Sequence, residues 1–138
     1  MTAKTVRSYA EQQMATAGSS LTAAIVTRIL SEAPGLAQRE LADHLGIEGP
    51  TMARHLDRLE RDGIVTRTRD EADRRMVRVR LTDSGRELRD RLHAVSARTN
   101  QQLAAAFEPD ELVRFEEYLD RVAAHAASLV DERRSRSA

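Results

Sequence analysis

Between Leu36 and Thr82 the chain reads LAQRELADHLGIEGPTMARHLDRLERDGIVTRTRDEADRRMVRVRLT. Within this stretch the apolar spacing changes from three and four residues to two. In Gly49 to Asp62, Met52, Ala53, Leu56 and Leu59 recur at helical spacing and line one side of a helix. Thr51, Arg54, His55 and Arg58 recur in the same way on another side. That side carries donors, acceptors and positive charge, with no large apolar group to bury. Such a helix can lie in a major groove and reach base edges with its first turns. Pro50 is tolerated in the first turn, because its missing N–H would be unpaired there anyway. Gly63 stands where a left-handed residue ends a helix, and Ile64 follows to dock on the core. Taken alone, these residues fit an ordinary surface helix of an all-α domain equally well, since charged faces are usually just solvated.

The next residues separate the two readings. Ile64–Arg69 and Met76–Leu81 read as strands. In the second, Val77, Val79 and Leu81 alternate with Met76, Arg78 and Arg80, a period of two. Asp70 to Arg75 between them is too polar for a core, so the pair forms a hairpin with a charged tip. Upstream, Gln38 to His44 is a short helix with Leu41, Ala42 and Leu45 inward and Gly46 as its stop. A helix–turn–helix followed by a hairpin is the winged-helix arrangement. The expected fold class is mainly α with a small β-hairpin wing.

Helices flank this centre. Residues 4–17 place Val6, Ala10, Met14 and Ala17 on one side. Residues 20–32 bury Leu21, Ile25, Val26, Ile29 and Leu30, with Ser19 or Ser20 as cap, and Pro34-Gly35 ends the helix. Thr82 is an N-cap signal for a long helix over 83–106. Its stripe is Leu88, Leu92, Val95, Thr99, Leu103 and Ala106. Pro109 opens a last helix with Leu112, Phe115, Leu119, Val122, Ala126 and Leu129 in line. Apolar stripes of this length exceed what a small winged-helix core needs, so the excess must meet something. Residues 132–138 lose periodicity and are expected to fray.

Composition narrows the function. A chain of 138 residues is expected to be one domain. It has no cysteine, which excludes disulfides, thiolate metal sites and thiol redox sensing. It has four aromatic residues, too few to line a large aromatic cavity. No run approaches a membrane span, and the first residues carry no apolar signal region, so a cytoplasmic location is expected. The net charge is zero but segregated. Arg67 to Arg80 holds six arginines against three acids, and Glu108 to Asp120 holds six acids against Arg114. One face can therefore attract phosphate while another repels it. No two of the four histidines, His44, His55, His93 and His125, stand at metal-ligand spacing. There is no phosphate loop, nucleophile elbow or HExxH. The chain is expected not to be an enzyme, with no cofactor and no metal. A DNA reader and a winged-helix protein-interaction module without DNA readout both remain. Only the first needs the Arg54/Arg58 face.

The run LERDGIVTR (59–67), then Asp73-Arg74-Arg75, then LTDSG (81–85), in that order and spacing, resembles the MarR family of bacterial transcription regulators. The resemblance covers roughly Leu21 to Leu129. Two departures stand out: Ala37 replaces the usual Ser or Thr cap, and the first helix is short. The resemblance implies a homodimer built from residues 4–33 and 83–131, with residues 36–82 as the winged helix–turn–helix. It implies a repressor on a pseudo-palindromic operator of double-stranded DNA. Pro50, Thr51, Arg54, His55 and Arg58 would face the major groove, with Arg69, Asp73, Arg74 and Arg75 in the wing. Gln38 and Arg39, at a helix N-terminus, are candidate phosphate contacts. A pocket between the dimer helices and the winged domain would take a small phenolic or aromatic acid. Tyr9, Gln13, Ile25 and His44 are its candidate lining, although Tyr9 fits a dimer contact equally. Asp73 and Arg75 project to the same side of an extended segment. They are expected to form an ion pair that orients Arg75 for the minor groove, while Arg74 takes a phosphate.

Overall fold

A computed structural model of the chain describes residues 2–136, with side chains for residues 4–129. The order is α1 (Thr2–Thr16), α2 (Leu21–Glu32), α3 (Gln38–Leu45), α4 (Gly49–Arg61), β1 (Val65–Arg69), β2 (Val77–Leu81), α5 (Asp83–Ala104) and α6 (Pro109–Arg136). The chain divides into two units, Met1–Thr99 and Asn100–Ala138.

Most ends in the first unit follow local chemistry. Ser20 caps α2, its Oγ accepting the Ala23 N–H at 3.1 Å. Ala37 has no side-chain acceptor for α3, so only the reciprocal arm of a capping box forms: the Ala37 N–H donates to Glu40 Oε2 at 2.7 Å. Gly63, at φ +70°, closes α4. The Gly63 N–H donates to the Glu60 carbonyl and the Ile64 N–H to that of Leu59, at 3.0 and 2.8 Å. Ile64 is thus engaged in the helix end, and β1 begins one residue later than the alternation alone implies.

Thr82 joins three elements. Its Oγ1 accepts the Gly85 N–H at 2.9 Å and donates toward the Gly63 carbonyl at 2.6 Å. Its backbone N–H reaches the Ile64 carbonyl at 3.1 Å. The start of α5 therefore presses on the end of α4 so closely that a Cβ on Gly85 would lie 2.1 Å from the Ile64 oxygen. The LTDSG run has a packing reason for its glycine.

The core of this unit gathers Met14, Val26, Leu30, Leu41, Met52, Leu56, Leu59, Val65, Val79, Leu88 and Leu92. Ala53, expected inward, is half-buried, as are Leu21 and Ile25. Thr27 is fully buried because its hydroxyl donates to the Ala23 carbonyl at 2.8 Å. The hairpin is antiparallel, with Arg67 opposite Val79 and Arg69 opposite Val77. A third segment pairs with it. The Val79 N–H donates to the Leu36 carbonyl at 2.9 Å, the Gly35 N–H donates to the Val79 carbonyl at 3.1 Å, and Ala37 bridges Arg78. The hairpin is thereby attached to the segment that leads into α3.

In the second unit the chain turns at Ala105–Phe107, ending α5 at Ala104 rather than at 106. The Glu108 N–H donates to Glu111 Oε2 at 3.1 Å, and Pro109 opens α6. Phe107 stacks on Phe115 with centroids 4.9 Å apart. Leu119, Val122 and Leu129 of the α6 stripe are 51%, 67% and 47% exposed. Where fraying was expected from residue 132, α6 runs to Arg136; Ser137 and Ala138 lie outside the described residues. No helix among the described residues is long and apolar enough to cross a membrane.

Candidate nucleic-acid interface

The outward side of α4 is basic because its inward side is spoken for. Met52, Leu56 and Leu59 turn into the core, which leaves Arg54, Arg58 and Arg61 exposed on the opposite side. None of the three has an ion pair among the described residues. Pro50 is exposed in the first turn. Thr51 and His55 are half-buried and turn toward the α1–α2 turn instead. The expected base-reading set is therefore split, with Arg54 and Arg58 outward and Thr51 and His55 toward a cleft. Arg61, one turn beyond Arg58, joins the outward side. It is the last residue of the helix, and its three-residue step from Arg58 continues the same side.

The six arginines of the hairpin region do different work. Arg67 emerges on the same face as Val65 and Val79 and lies over α4. Its Nε and Nη2 donate to Glu60 Oε2 at 3.0 and 2.7 Å, and Nη2 reaches Asp57 Oδ1 at 2.5 Å. The hydrogen bond to Arg67 holds the Glu60 carboxyl below its usual range. Arg78 Nε donates to Asp70 Oδ2 at 2.7 Å, and its Nη1 lies 3.9 Å from Glu40 Oε2. Arg80 lies against Gly35. Arg69, Arg74 and Arg75 are exposed and have no ion pair among the described residues. These are the wing arginines the sequence singles out.

The expected Asp73–Arg75 ion pair is not what forms. Asp73 Oδ1 accepts the backbone N–H of Arg75 at 3.0 Å, and the Asp73 carbonyl accepts the Met76 N–H at 2.9 Å. A carboxylate two residues before an N–H closes an Asx turn more readily than it reaches a long, solvated guanidinium. Asp73 therefore shapes the backbone under Arg75, and the guanidinium is left free. The acid that orders the tip is Asp70. Its Oδ1 accepts the Ala72 and Asp73 N–H groups at 2.8 and 3.1 Å. With the Arg78 contact first and these two bonds after it, its carboxyl is held low.

Gln38 and Arg39 occupy the first turn of α3, half-buried and exposed. Of the four candidate effector residues, Ile25 and His44 line one cleft of about 720 Å³ with Arg7, Glu11, Thr51 and His55. Tyr9 and Gln13 are not among its lining residues. The cleft meets α1 along Arg7, Glu11 and Ala15, spaced by four, and Tyr9 and Gln13 lie about 200° around the helix from that line. His44 Nδ1–H donates to the Glu40 carbonyl at 2.8 Å, which directs Nε2 away from its own helix.

The profile of the MarR family matches residues 20–77, from the start of α2 to the start of β2. Solved structures extend the likeness. The PcaV transcriptional regulator from Streptomyces coelicolor, in complex with its natural ligand, is 34% identical. That match covers 78% of this chain and 77% of PcaV, with a TM-score of 0.70. The transcriptional repressor CouR, bound to a 23-mer DNA duplex, is 29% identical over 88% of this chain and 87% of its own, with a TM-score of 0.81. A MarR transcriptional regulator from Methanosarcina mazei Go1 is 25% identical over 91% of each chain, with a TM-score of 0.81.

Proposed function

The chain belongs to the MarR family, and from that premise we propose that it is a homodimeric repressor released from its operator by a small aromatic acid. The observation that carries the proposal is the sorting of its arginines. Arg67 and Arg78 are taken up by Glu60, Asp57 and Asp70, while Arg54, Arg58, Arg69, Arg74 and Arg75 stay exposed and unpaired among the described residues. Spare guanidinium groups on a helix and on the neighbouring hairpin tip fit a duplex better than they fit a protein surface.

In this reading α4 enters the major groove, Arg54 and Arg58 read base edges, and Thr51 and His55 stand at the margin of the contact. Pro50 sets the helix start against the backbone. Gln38 and Arg39 take phosphate at the start of α3, as does Arg74 at the wing. Arg69 and Arg75 reach the flanking minor groove, where negative potential favours arginine. The exposed stripe of α6, through Leu119, Val122 and Leu129, is buried against a second copy. Two recognition helices then stand about 34 Å apart, one turn of the duplex. The cleft lined by Arg7, Ile25 and His44 seats the acid. The likeness to a ligand-bound PcaV and a DNA-bound CouR supports both halves of the reading.

A mobility-shift titration with the DNA upstream of the protein's own coding region tests it. Binding to that duplex, absence of binding to a scrambled one, and release by a benzoate or hydroxybenzoate at millimolar concentration are expected. Equal binding to both duplexes removes the operator reading. Operator binding that no aromatic acid disturbs removes the effector reading alone.

A further inference from the structure

The arginines of the wing and those of α4 sit on separate elements, and a two-stranded hairpin is only marginally stable by itself. Arg67 holds the base of the hairpin to α4, through Asp57 and Glu60. The tip, residues 70–76, is closed by bonds of its own. The Asp70 N–H donates to the Met76 carbonyl, the Ala72 and Asp73 N–H groups to Asp70 Oδ1, and the Arg75 N–H to Asp73 Oδ1. The second oxygen of Asp70 accepts from Arg78 Nε at 2.7 Å. Among the described residues, no other side-chain hydrogen bond or ion pair leads out of the tip. The far end of Arg78 lies at the entry to α3. Its Nη1 is 3.4 Å from the Gly35 carbonyl oxygen and 3.9 Å from Glu40 Oε2. That Glu40 oxygen accepts the Ala37 N–H at 2.7 Å. The Arg78 and Asp70 side chains are 32% and 19% exposed, against 74% and 50% in the Arg7–Glu11 pair. Solvent competes less with the shielded pair, so it holds one geometry better.

A guanidinium can span two sites in this way because it is a flat fork with donors on more than one edge, whereas an ammonium is a single point. We propose that Arg78 is a positioning residue for operator recognition: it fixes the wing tip to the entry of α3, so that Arg75 meets the flanking groove at a set offset from α4. The proposal rests on the reading of α4 and the wing as DNA contacts. Three bonds carry the position from Arg78 to Arg75: Arg78 Nε to Asp70 at 2.7 Å, the Asp73 N–H to Asp70 at 3.1 Å, and the Arg75 N–H to Asp73 at 3.0 Å. A loose tip would keep its positive charge and still attract phosphate of any sequence. Telling a narrow minor groove from a wide one needs the Arg75 guanidinium placed before contact, since ordering it on binding costs free energy. Arg78 therefore sets flank preference rather than general affinity, and it does so without touching the duplex.

The test is competition binding of the full chain to its upstream duplex and three derivatives: flanks exchanged between A·T and G·C, major-groove positions exchanged, and the whole site scrambled. Arg78→Gln combined with Asp70→Asn removes the tether, keeps the net charge and leaves an oxygen for the Ala72 and Asp73 N–H groups. The natural protein should favour one flank composition about tenfold, the usual weight of a mismatched pair. The double variant should fall to within about twofold between flanks and keep the natural preference at the major-groove positions. Arg78→Lys keeps the charge without the fork and should fall between the two. Flank preference absent from the natural protein, retained by the double variant, or retained in full by Arg78→Lys overturns the proposal. Equal weakening on every duplex, the scrambled one included, also overturns it and makes Arg78 a phosphate contact. Loss of both preferences together overturns it as well, because Arg78 then supports the whole domain and not the wing. A natural protein that binds operator and scrambled duplex equally refutes the DNA reading itself. Amide exchange without DNA decides the tether separately: exchange at Asp73 and Arg75 should be faster in the double variant, and unchanged exchange refutes the tether. Melting curves establish that each variant is folded.

Discussion

Arg67 of β1 donates from Nε and Nη2 to a single oxygen of Glu60 on α4, at 3.0 and 2.7 Å. The contact ties the hairpin to the helix beside it and neutralises an acid on the helix proposed to enter the major groove. Arg67→Ala leaves Asp57 and Glu60 unpaired on that helix. Operator affinity should fall about tenfold, chiefly through slower association and with a changed salt dependence. Adding Asp57→Asn and Glu60→Gln to Arg67→Ala should restore most of the loss if charge is the cause. No restoration would mean that hairpin placement dominates, and stopped-flow association rates distinguish the two.

The wing tip gives a prediction in which charge and hydrogen bonding oppose each other. Asp73 accepts the Arg75 backbone N–H. Asp73→Asn keeps an acceptor oxygen and removes a negative charge, so operator binding should hold or tighten. Asp73→Ala loses the turn bond and should weaken binding by roughly 2- to 10-fold, the worth of one such bond. Equal weakening by both variants would restore the ion-pair explanation that the geometry displaces.

Gly85 tests the junction of α4 and α5. A methyl group there meets the Ile64 carbonyl oxygen at 2.1 Å. Gly85→Ala should destabilise the protein by about 1–3 kcal/mol in urea denaturation, the usual cost of overpacking a tight contact. Gly18→Ala is a poor control because of its positive φ. Gly49→Ala has open space around its Cβ and should be near neutral.

The pH dependence follows from Asp70. Its carboxyl is held below the ordinary range by Arg78 first and then by the Asp73 and Ala72 N–H groups. A depressed folded value means the contribution is fully present above the ordinary carboxylate range. It is lost as pH falls through the lowered folded value. Amide exchange at Ala72 and Asp73 should therefore stay protected at neutral and mildly acidic pH and rise only in stronger acid, after correction for intrinsic rates. In Asp70→Asn the protection should no longer depend on pH. A rise in exchange already near neutrality in the natural protein would contradict this.

What the sequence makes legible is local. Ser20, Gly63, Thr82 and Pro109 announce helix ends through their own backbone chemistry, and Met52, Leu56 and Leu59 mark the buried side of α4 by spacing alone. The hairpin declares itself through Val77, Val79 and Leu81. What escapes depends on distance in the chain. The Leu36–Ala37 pairing with β2 is too short to carry a period. Arg78 finds Asp70 eight positions away, and Arg67 finds Asp57 ten positions away. Only tertiary placement decides which arginines are spent and which are spare. The resemblance offers Tyr9 and Gln13 as pocket lining, but the side of α1 that meets the cleft carries Arg7, Glu11 and Ala15, beside Met14 as it turns into the core.

Base-by-base operator binding by Arg54→Ala tests most directly whether α4 reads sequence. The upstream duplex is substituted at each position in turn and measured against both proteins. Two major-groove patches of preference about one helical turn apart are expected in the natural protein. Arg54→Ala should lose about 1–3 kcal/mol of discrimination at one base pair in each patch and keep its affinity for scrambled DNA. An equal loss of affinity on operator and scrambled duplex would contradict it, and would make Arg54 a phosphate contact rather than a reader of sequence.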